Sequence, residues 1–280
     1  MKLASVVVFY NPTDENISNL DNFKNSVDVI YVVDNSDDTI VRIKEDKKVK
    51  YIKLNENQGI AKALNIGANI AIQDGYNWLL TLDQDSKMTN EIIDEMKTFI
   101  EKNYKKIKIG LVSPYQDIDA KENILDTEYE EMIEVMTSGN IINLDAYKKI
   151  NGFKDWLFID LVDTDYCMNL NKNGYKVIRL NKVIMKHNLG NLKVHKLFGK
   201  EYPCYNHNPI RRYYIVRNTF YINEMYKDLY SEYCNHLIRV QKGQVKRIIM
   251  FEKNKYNKLK MMYKGYNDYK KGIKGKFNNS

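Results

Sequence analysis

Three stretches of the chain are apolar almost without interruption: Leu3–Tyr10, Val29–Val33 and Trp78–Leu82. A half-exposed strand would alternate apolar and polar positions. These stretches do not, so each is expected to be a strand buried on both faces, as in a parallel sheet. Val49–Leu54 and Ile109–Val112 read as shorter strands of the same kind. Between them, Ile17, Leu20 and Phe23 recur at helical spacing. Ile60, Leu64, Gly67, Ala68 and Ala71 mark one face of a helix that starts at Gly59. Ile92, Ile93, Met96, Phe99 and Ile100 mark another. Strand and helix alternate without hairpin signals, which predicts a Rossmann-like, mostly parallel α/β sheet over residues 1–114.

The pattern changes after Pro114. Residues 115–135 are acidic and weakly periodic, as in a connection or a short hairpin. Thr137–Ile142 is expected to be a strand, and Leu144–Ile150 a short helix stopped by Asn151-Gly152. Val162–Asn173 is expected to be a helix that ends at Gly174, followed by strands at Tyr175–Ile178 and Val183–Lys186. The polar stretch from Gly190 to Asn208 suggests a mobile loop, and Pro209 can open a helix that runs on through Tyr214. Beyond His236 the chain is helical and basic. The expected organisation is one domain over 1–220, with halves 1–114 and 115–220, and a helical basic extension over 221–280.

The chain has 280 residues with 13 Gly and only 4 Pro, so no long linker is signalled. The apolar run at Leu3–Tyr10 is too short for a signal peptide, and no stretch is long enough to span a bilayer. The three cysteines are scattered without metal-ligand spacing, as in a reducing compartment, and a cytoplasmic location is expected. The net charge of +8 is uneven: His236–Ser280 holds 13 Lys+Arg against 2 Asp+Glu, while the rest is slightly acidic. Such asymmetry points to an anionic partner for the tail, a membrane surface or nucleic acid. Phe251, Tyr256, Tyr263, Tyr266 and Tyr269 are interleaved with the lysines, a pattern suited to lying on the inner face of the cell membrane. The alternative is a helix packed on the rest of the protein with its lysines in water. Nucleic acid is the least favoured partner.

Chemistry-bearing residues collect at strand ends. Tyr10-Asn11, Asp34-Asn35-Ser36 and Asp83-Gln84-Asp85 would share one edge of a parallel sheet, where open α/β folds bind ligands. An aromatic there can stack on a base, and a carboxylate can accept a pyrimidine N3–H. Backbone N–H groups of Asn57-Gln58-Gly59, at a helix N-terminus, can face an anion. Asp83 and Asp85 offer hard oxygens to a divalent cation that itself holds phosphates. The plainer alternative for each aspartate is a turn or helix cap.

These motifs resemble glycosyltransferase family 2. The likeness rests on Asp34-Asn35-Ser36, Asn57-x-Gly59-Ile60-Ala61-x-Ala63-x-Asn65-x-Gly67 and Asp83-Gln84-Asp85-Ser86. It continues through Ser138-Gly139, Gly152-Phe153, Phe158-Ile159-Asp160-x-x-Asp163-x-Asp165 and Gly174-Tyr175, and spans residues 3–220. Asp-Gln-Asp-Ser, Phe158-Ile159-Asp160-x-Val162-Asp163 and Arg212-Tyr213-Tyr214-x-x-Arg217-Asn218 are most similar to bacterial rhamnosyltransferases. The resemblance implies a GT-A fold and an inverting, metal-assisted transfer from a nucleotide-sugar, dTDP-β-L-rhamnose or alternatively a UDP-hexose. The acceptor would be a hydroxyl of a surface-polysaccharide precursor, a glycan on a lipid carrier.

By position, Asp34 would contact the pyrimidine, Asp85 would bind Mg²⁺ or Mn²⁺, and Asp83 would sit at the ribose or the metal's water shell. Asp163 occupies the place of the base, although Val162 replaces the usual Glu and Asp160 is an added carboxylate. If the segment is helical, Asp160 and Asp163 share one side and could form a pair with one raised pKa. Asp165 reads as a structural residue. His187 would reach the metal or the diphosphate, while Arg212 and Arg217, with Arg211 beside them, suit phosphate or acceptor contacts. A non-catalytic nucleotide-sugar or glycan-binding module is the rival from another class.

Overall fold

The uninterrupted apolar runs form strands with no solvent-facing side. β1 (Leu3–Phe9), β2 (Val29–Asp34), β3 (Val49–Lys53) and β4 (Trp78–Asp83) lie parallel in the order β3-β2-β1-β4. Every residue of β1 and β2 is buried, whereas β3, at the sheet edge, is half exposed. This computed structural model describes residues 1–37, 43, 46–117, 126–186, 193–197 and 199–278. The connections carry α1 (Asp14–Ser18), α2 (Ile60–Gln73) and α3 (Asn90–Asn103). Thr13 caps α1 and Thr89 caps α3, each accepting a backbone N–H of the first turn.

The second half of the sheet is mixed. β5 (Ile109–Asp117), β6 (Tyr129–Glu131) and β7 (Asn140–Asn143) are followed by α4 (Leu144–Lys149), α5 (Val162–Lys172) and β8 (Lys176–Lys186). The full order is β3-β2-β1-β4-β7-β5-β8-β6. β7 enters antiparallel between β4 and β5, and β6 lies antiparallel on β8, while β5 and β8 pair in parallel, so the sheet is mixed but mostly parallel. Tyr175–Ile178 and Val183–Lys186, expected as two strands, are one long β8 that starts at Lys176. Its register against β5 jumps where Pro114 faces Leu180 and Tyr115 faces Ile184, at a proline that has no N–H to donate.

The chain divides into two compact units: Met1–Asp155 with Val162–His187, and Trp156–Leu161 with Asn188–Ser280. The first holds the sheet and its main core, from Leu3, Phe9 and Ile30 to Met96, Ile141 and Met185. The second holds α6 (Pro209–Tyr226), α7 (Ser231–Phe251) and α8 (Lys255–Lys270). The stretch expected to be a loop after Gly190 is, over its described residues, a hairpin of β9 (Lys193–Leu197) and β10 (Lys200–Cys204). All three cysteines are buried and unpaired. No helix of the described residues is long and apolar enough to cross a membrane.

Small residues set how closely helices approach. A Cβ on Gly67 of α2 would lie 2.3 Å from Val6 Cγ2 of β1. In the second unit, a Cβ on Gly265 of α8 would lie 2.5 Å from the Tyr213 carbonyl oxygen of α6. Gly67→Ala therefore forces α2 off the sheet and is expected to destabilise the protein by about 1–3 kcal/mol. Urea denaturation checks this, and an unchanged midpoint would mean that the helix shifts freely.

Candidate active site

Strand register brings three chain ends to one edge, with Phe9 opposite Asp34 and Val8 opposite Asp83. Past that edge the ends are tied by Gln84 and Ser36, which stood in the motifs without a role, and by Asn16 and Asn19, which the sequence did not single out. Gln84 Oε1 accepts the Tyr10 N–H at 2.8 Å, and Gln84 Nε2 donates to the Tyr10 carbonyl at 3.2 Å. The Gln84 carbonyl accepts the side-chain amides of Asn16 and Asn19, both at 3.2 Å. Asn11, at a left-handed φ of 47°, donates its N–H to Ser36 Oγ at 2.7 Å. The Tyr10 side chain itself is exposed, an open aromatic face at the ligand edge.

Asp34 is fully enclosed. One carboxylate oxygen accepts the Ser36 N–H at 3.0 Å and the other accepts the Tyr51 hydroxyl. Burial first, and then the carboxylate beside it, push the Tyr51 phenol up, so it stays a donor. The Tyr51 hydroxyl thus occupies the second Asp34 oxygen. The N–H groups expected to face an anion are also engaged. Asn57 N–H donates to Asp37 at 3.0 Å, Gln58 N–H to Asn35 Oδ1 at 2.8 Å, and Gly59 N–H to Asn57 Oδ1 at 3.0 Å. Asn57 and Gly59 thus shape the turn into α2 instead of offering these N–H groups to a ligand; the φ of 86° at Gly59 suits glycine.

At the end of β4, Asp83 is partly exposed and Asp85 exposed. The turn is braced from the segment before β7: Ser138 Oγ accepts the Asp83 N–H at 3.0 Å and bonds to the Ser86 hydroxyl. Gln116 Nε2 fixes the Ser138 carbonyl at 2.6 Å, and the Gly139 N–H donates to the Thr81 carbonyl at 2.8 Å. Among the described residues no three His, Cys, Asp or Glu side chains gather as a complete metal site. What Asp83 and Asp85 provide is an incomplete, hard-oxygen set, the kind that a magnesium-like ion completes with phosphate oxygens and water. His187 lies outside the described residues.

Asp163 stands in the first turn of α5, half-buried, with Oδ1 accepting the Thr164 N–H at 2.9 Å. It lines a small cleft with Thr81, Thr137, Asn140, Tyr166 and Cys167. Asp165 is fully buried, 2.6 Å from Lys154 Nζ, a structural ion pair. Asp160 is not helical: Phe158, Asp160 and Leu161 have φ of 68°, 63° and 61°, and α5 starts only at Val162. The condition for a helical Asp160–Asp163 pair is therefore not met. The Asp160 carboxylate instead accepts Arg211 Nε and Nη2, each at 3.0 Å. Burial raises the Asp160 pKa and the Arg211 charge opposes the rise.

Arg212 and Arg217, expected to contact the donor, are corrected to internal roles. Arg212 is 2% exposed and gives Nη2 to Glu252 at 2.6 Å; Lys258 holds the other Glu252 oxygen at 2.8 Å. Arg217, at 0% exposure, donates to the carbonyls of Gly275, Trp156 and Leu157 and to Asn218 Oδ1. Asn218 Nδ2 lies 3.0, 2.8 and 2.9 Å from the carbonyls of Leu157, Ile159 and Asp160, and Tyr214 stacks on Phe158. Each left-handed non-glycine residue costs roughly 1–2 kcal/mol, so the run from Phe158 to Leu161 persists because this motif grips its carbonyls. Asn218→Ala should destabilise the protein by about 1–3 kcal/mol in chemical denaturation. No loss would mean that the turn is held from elsewhere.

Comparison with known proteins gives concordant matches. A family model described as Glycosyl transferase family 2 matches residues 6–157. A dTDP-rhamnosyl transferase of Shigella flexneri, RfbF, is 30% identical over 236 residues, which is 78% of this chain and 78% of that one. Among solved structures, S. aureus TarS 1–349 in complex with UDP-GlcNAc aligns with a TM-score of 0.58 at 15% identity, over 98% of this chain and 82% of that one. GalNAc-T7, solved with UDP, GalNAc and Mn²⁺, aligns with a TM-score of 0.57 at 13% identity, over 84% of this chain and 49% of that one. The chain spans 44% of a longer TarS structure. At these identities the structural likeness establishes the fold, a mixed α/β GT-A architecture.

Proposed function

The chain belongs to glycosyl transferase family 2, and on that footing we propose that it moves L-rhamnose from dTDP-β-L-rhamnose to a hydroxyl of a bacterial surface-polysaccharide precursor, with inversion. The observation that carries this is the shared edge of β1, β2 and β4, with the open Tyr10 ring and the accessible carboxylates Asp83 and Asp85, while Asp163 lines a cleft in the same unit. The likeness to the Shigella flexneri enzyme supports rhamnose as the sugar.

Tyr10 stacks on the thymine, and Asp34 accepts its N3–H once the Tyr51 hydroxyl moves aside. Asp85, with Asp83, would hold Mg²⁺ or Mn²⁺; when bound, the ion neutralises charge developing on the leaving diphosphate. Asp163 takes the proton of the acceptor hydroxyl as that oxygen bonds to C1 of the sugar. The C1–O bond to dTDP breaks on the opposite face, and the electron pair leaves with the diphosphate. Inversion follows because the base and the leaving group lie on opposite sides of the ring.

Thermal-shift and turnover measurements with dTDP-rhamnose, UDP-sugars and GDP-sugars, with and without Mn²⁺, test this reading. The expected result is Mn²⁺-dependent stabilisation and transfer with dTDP-rhamnose, both lost in Asp85→Ala. Asp163→Asn should keep the stabilisation and lower turnover by roughly 10²–10⁴-fold. Stabilisation by a UDP-sugar alone would overturn the donor, and undiminished turnover in Asp163→Asn would overturn the base.

A further inference from the structure

From Tyr233 to Asn267 the only acidic side chain is Glu252, which is buried between Arg212 and Lys258. Every exposed Asp, Glu, Lys or Arg in that stretch is therefore basic. On α7 the exposed residues Arg239, Lys242, Lys246, Ile249 and Met250 recur at spacings of three or four, which puts them on one stripe. On α8, Tyr256, Lys260 and Tyr263 do the same. The stripes approach each other along the chain at the α7–α8 turn, where Lys253 and Lys255 are also exposed.

The apolar members are far more open than structural side chains need to be: Tyr256 is 76% exposed, Tyr263 68%, Ile249 52% and Met250 47%. The opposite side of α8 does the packing, through Gly265 against α6 and through Met262 with Val216 and Ile248. We propose that the exposed α7–α8 face docks on an anionic lipid surface. The lysines meet the headgroup phosphates, while Ile249, Met250, Tyr256 and Tyr263 enter the interfacial layer. Charge complementarity selects an anionic occupant. The aliphatic pair Ile249 and Met250 selects lipid over nucleic acid, whose phosphates offer no apolar layer and whose bases favour aromatic partners.

Docking needs no turnover, so it stands or falls separately from the choice of donor. The test is co-sedimentation of the full chain with phosphatidylglycerol–phosphatidylcholine vesicles and with phosphatidylcholine vesicles alone, at low and high salt. Binding is expected to the anionic vesicles, with at least about tenfold weaker partition to the neutral ones and release by salt. Lys253→Glu with Lys260→Glu should weaken binding by roughly tenfold or more. Ile249→Ser with Met250→Ser should weaken it by roughly tenfold. All four positions are exposed, so unchanged melting temperatures are expected and certify folding. Equal binding to neutral vesicles, or full retention in the Ile249/Met250 variant, overturns the proposal. Binding to single-stranded RNA tighter than to anionic vesicles also overturns it, and assigns the face to nucleic acid.

Discussion

The hydrogen-bonded pair between the Gln84 side chain and the Tyr10 backbone governs the ligand edge. Where buried parallel strands end, their last N–H and carbonyl groups have no next rung of the ladder and take another partner. Gln84 supplies that partner with a side-chain amide, accepting at 2.8 Å and donating at 3.2 Å, just past Val8 and Asp83, the last register pair of β1 and β4. With Gln84 committed to the backbone, its neighbours Asp83 and Asp85 stay accessible. The Asn16 and Asn19 amides on the Gln84 carbonyl then tie the same turn to the segment after β1.

Chemically similar groups meet opposite fates around this frame. Asp34 and Asp85 both follow buried strands, but Asp34 is closed in by Ser36 and Tyr51 while Asp85 faces solvent. Arg211, Arg212 and Arg217 lie within one turn or two of α6, but only Arg211 keeps its charge near the surface. The buried two differ as well. Arg212 is neutralised by Glu252, whereas Arg217 is solvated by backbone carbonyls, which lets one guanidinium organise a left-handed turn that no regular hydrogen-bond ladder could hold.

The parts of the fold that were legible are those where one physical requirement dominates the residue choice. β1, β2 and β4 must be apolar on both faces, so their runs announce themselves, and Gly67 had to be small where α2 meets Val6. The antiparallel β7 was foreseen as a strand but not in direction, because Ile141 and Ile142 read the same either way. The β9–β10 hairpin was hidden by its polar, glycine- and proline-containing sequence. The Asp160–Asp163 pair, conditional on a helix reaching back to Asp160, does not form because Phe158, Asp160 and Leu161 take positive φ, which non-glycine residues seldom do. Arg212 and Arg217 misled because arginine is rarely buried. One signal did stand in the sequence: an Arg-Asn pair flanked by tyrosines on a helix with no clean apolar stripe, as expected when the buried face is held by polar groups.

The same economy of acidic residues explains the surface of the C-terminal helices. After Tyr233 the described chain has only two carboxylate side chains, Glu252 and Asp268, and both point inward. Glu252 neutralises Arg212 and Lys258, and Asp268 accepts the Tyr213 hydroxyl at 2.8 Å with Lys264 nearby at 3.4 Å. A buried cation without its partner would be costly, so these carboxylates cannot be moved outward without loss of the helical packing. From Arg239 to Lys260 the exposed lysines and arginines consequently have no exposed acidic residue beside them along the chain. The positive face is thus tied to the way the interior is held together: the residues that neutralise the inside leave the outside open to an anionic partner.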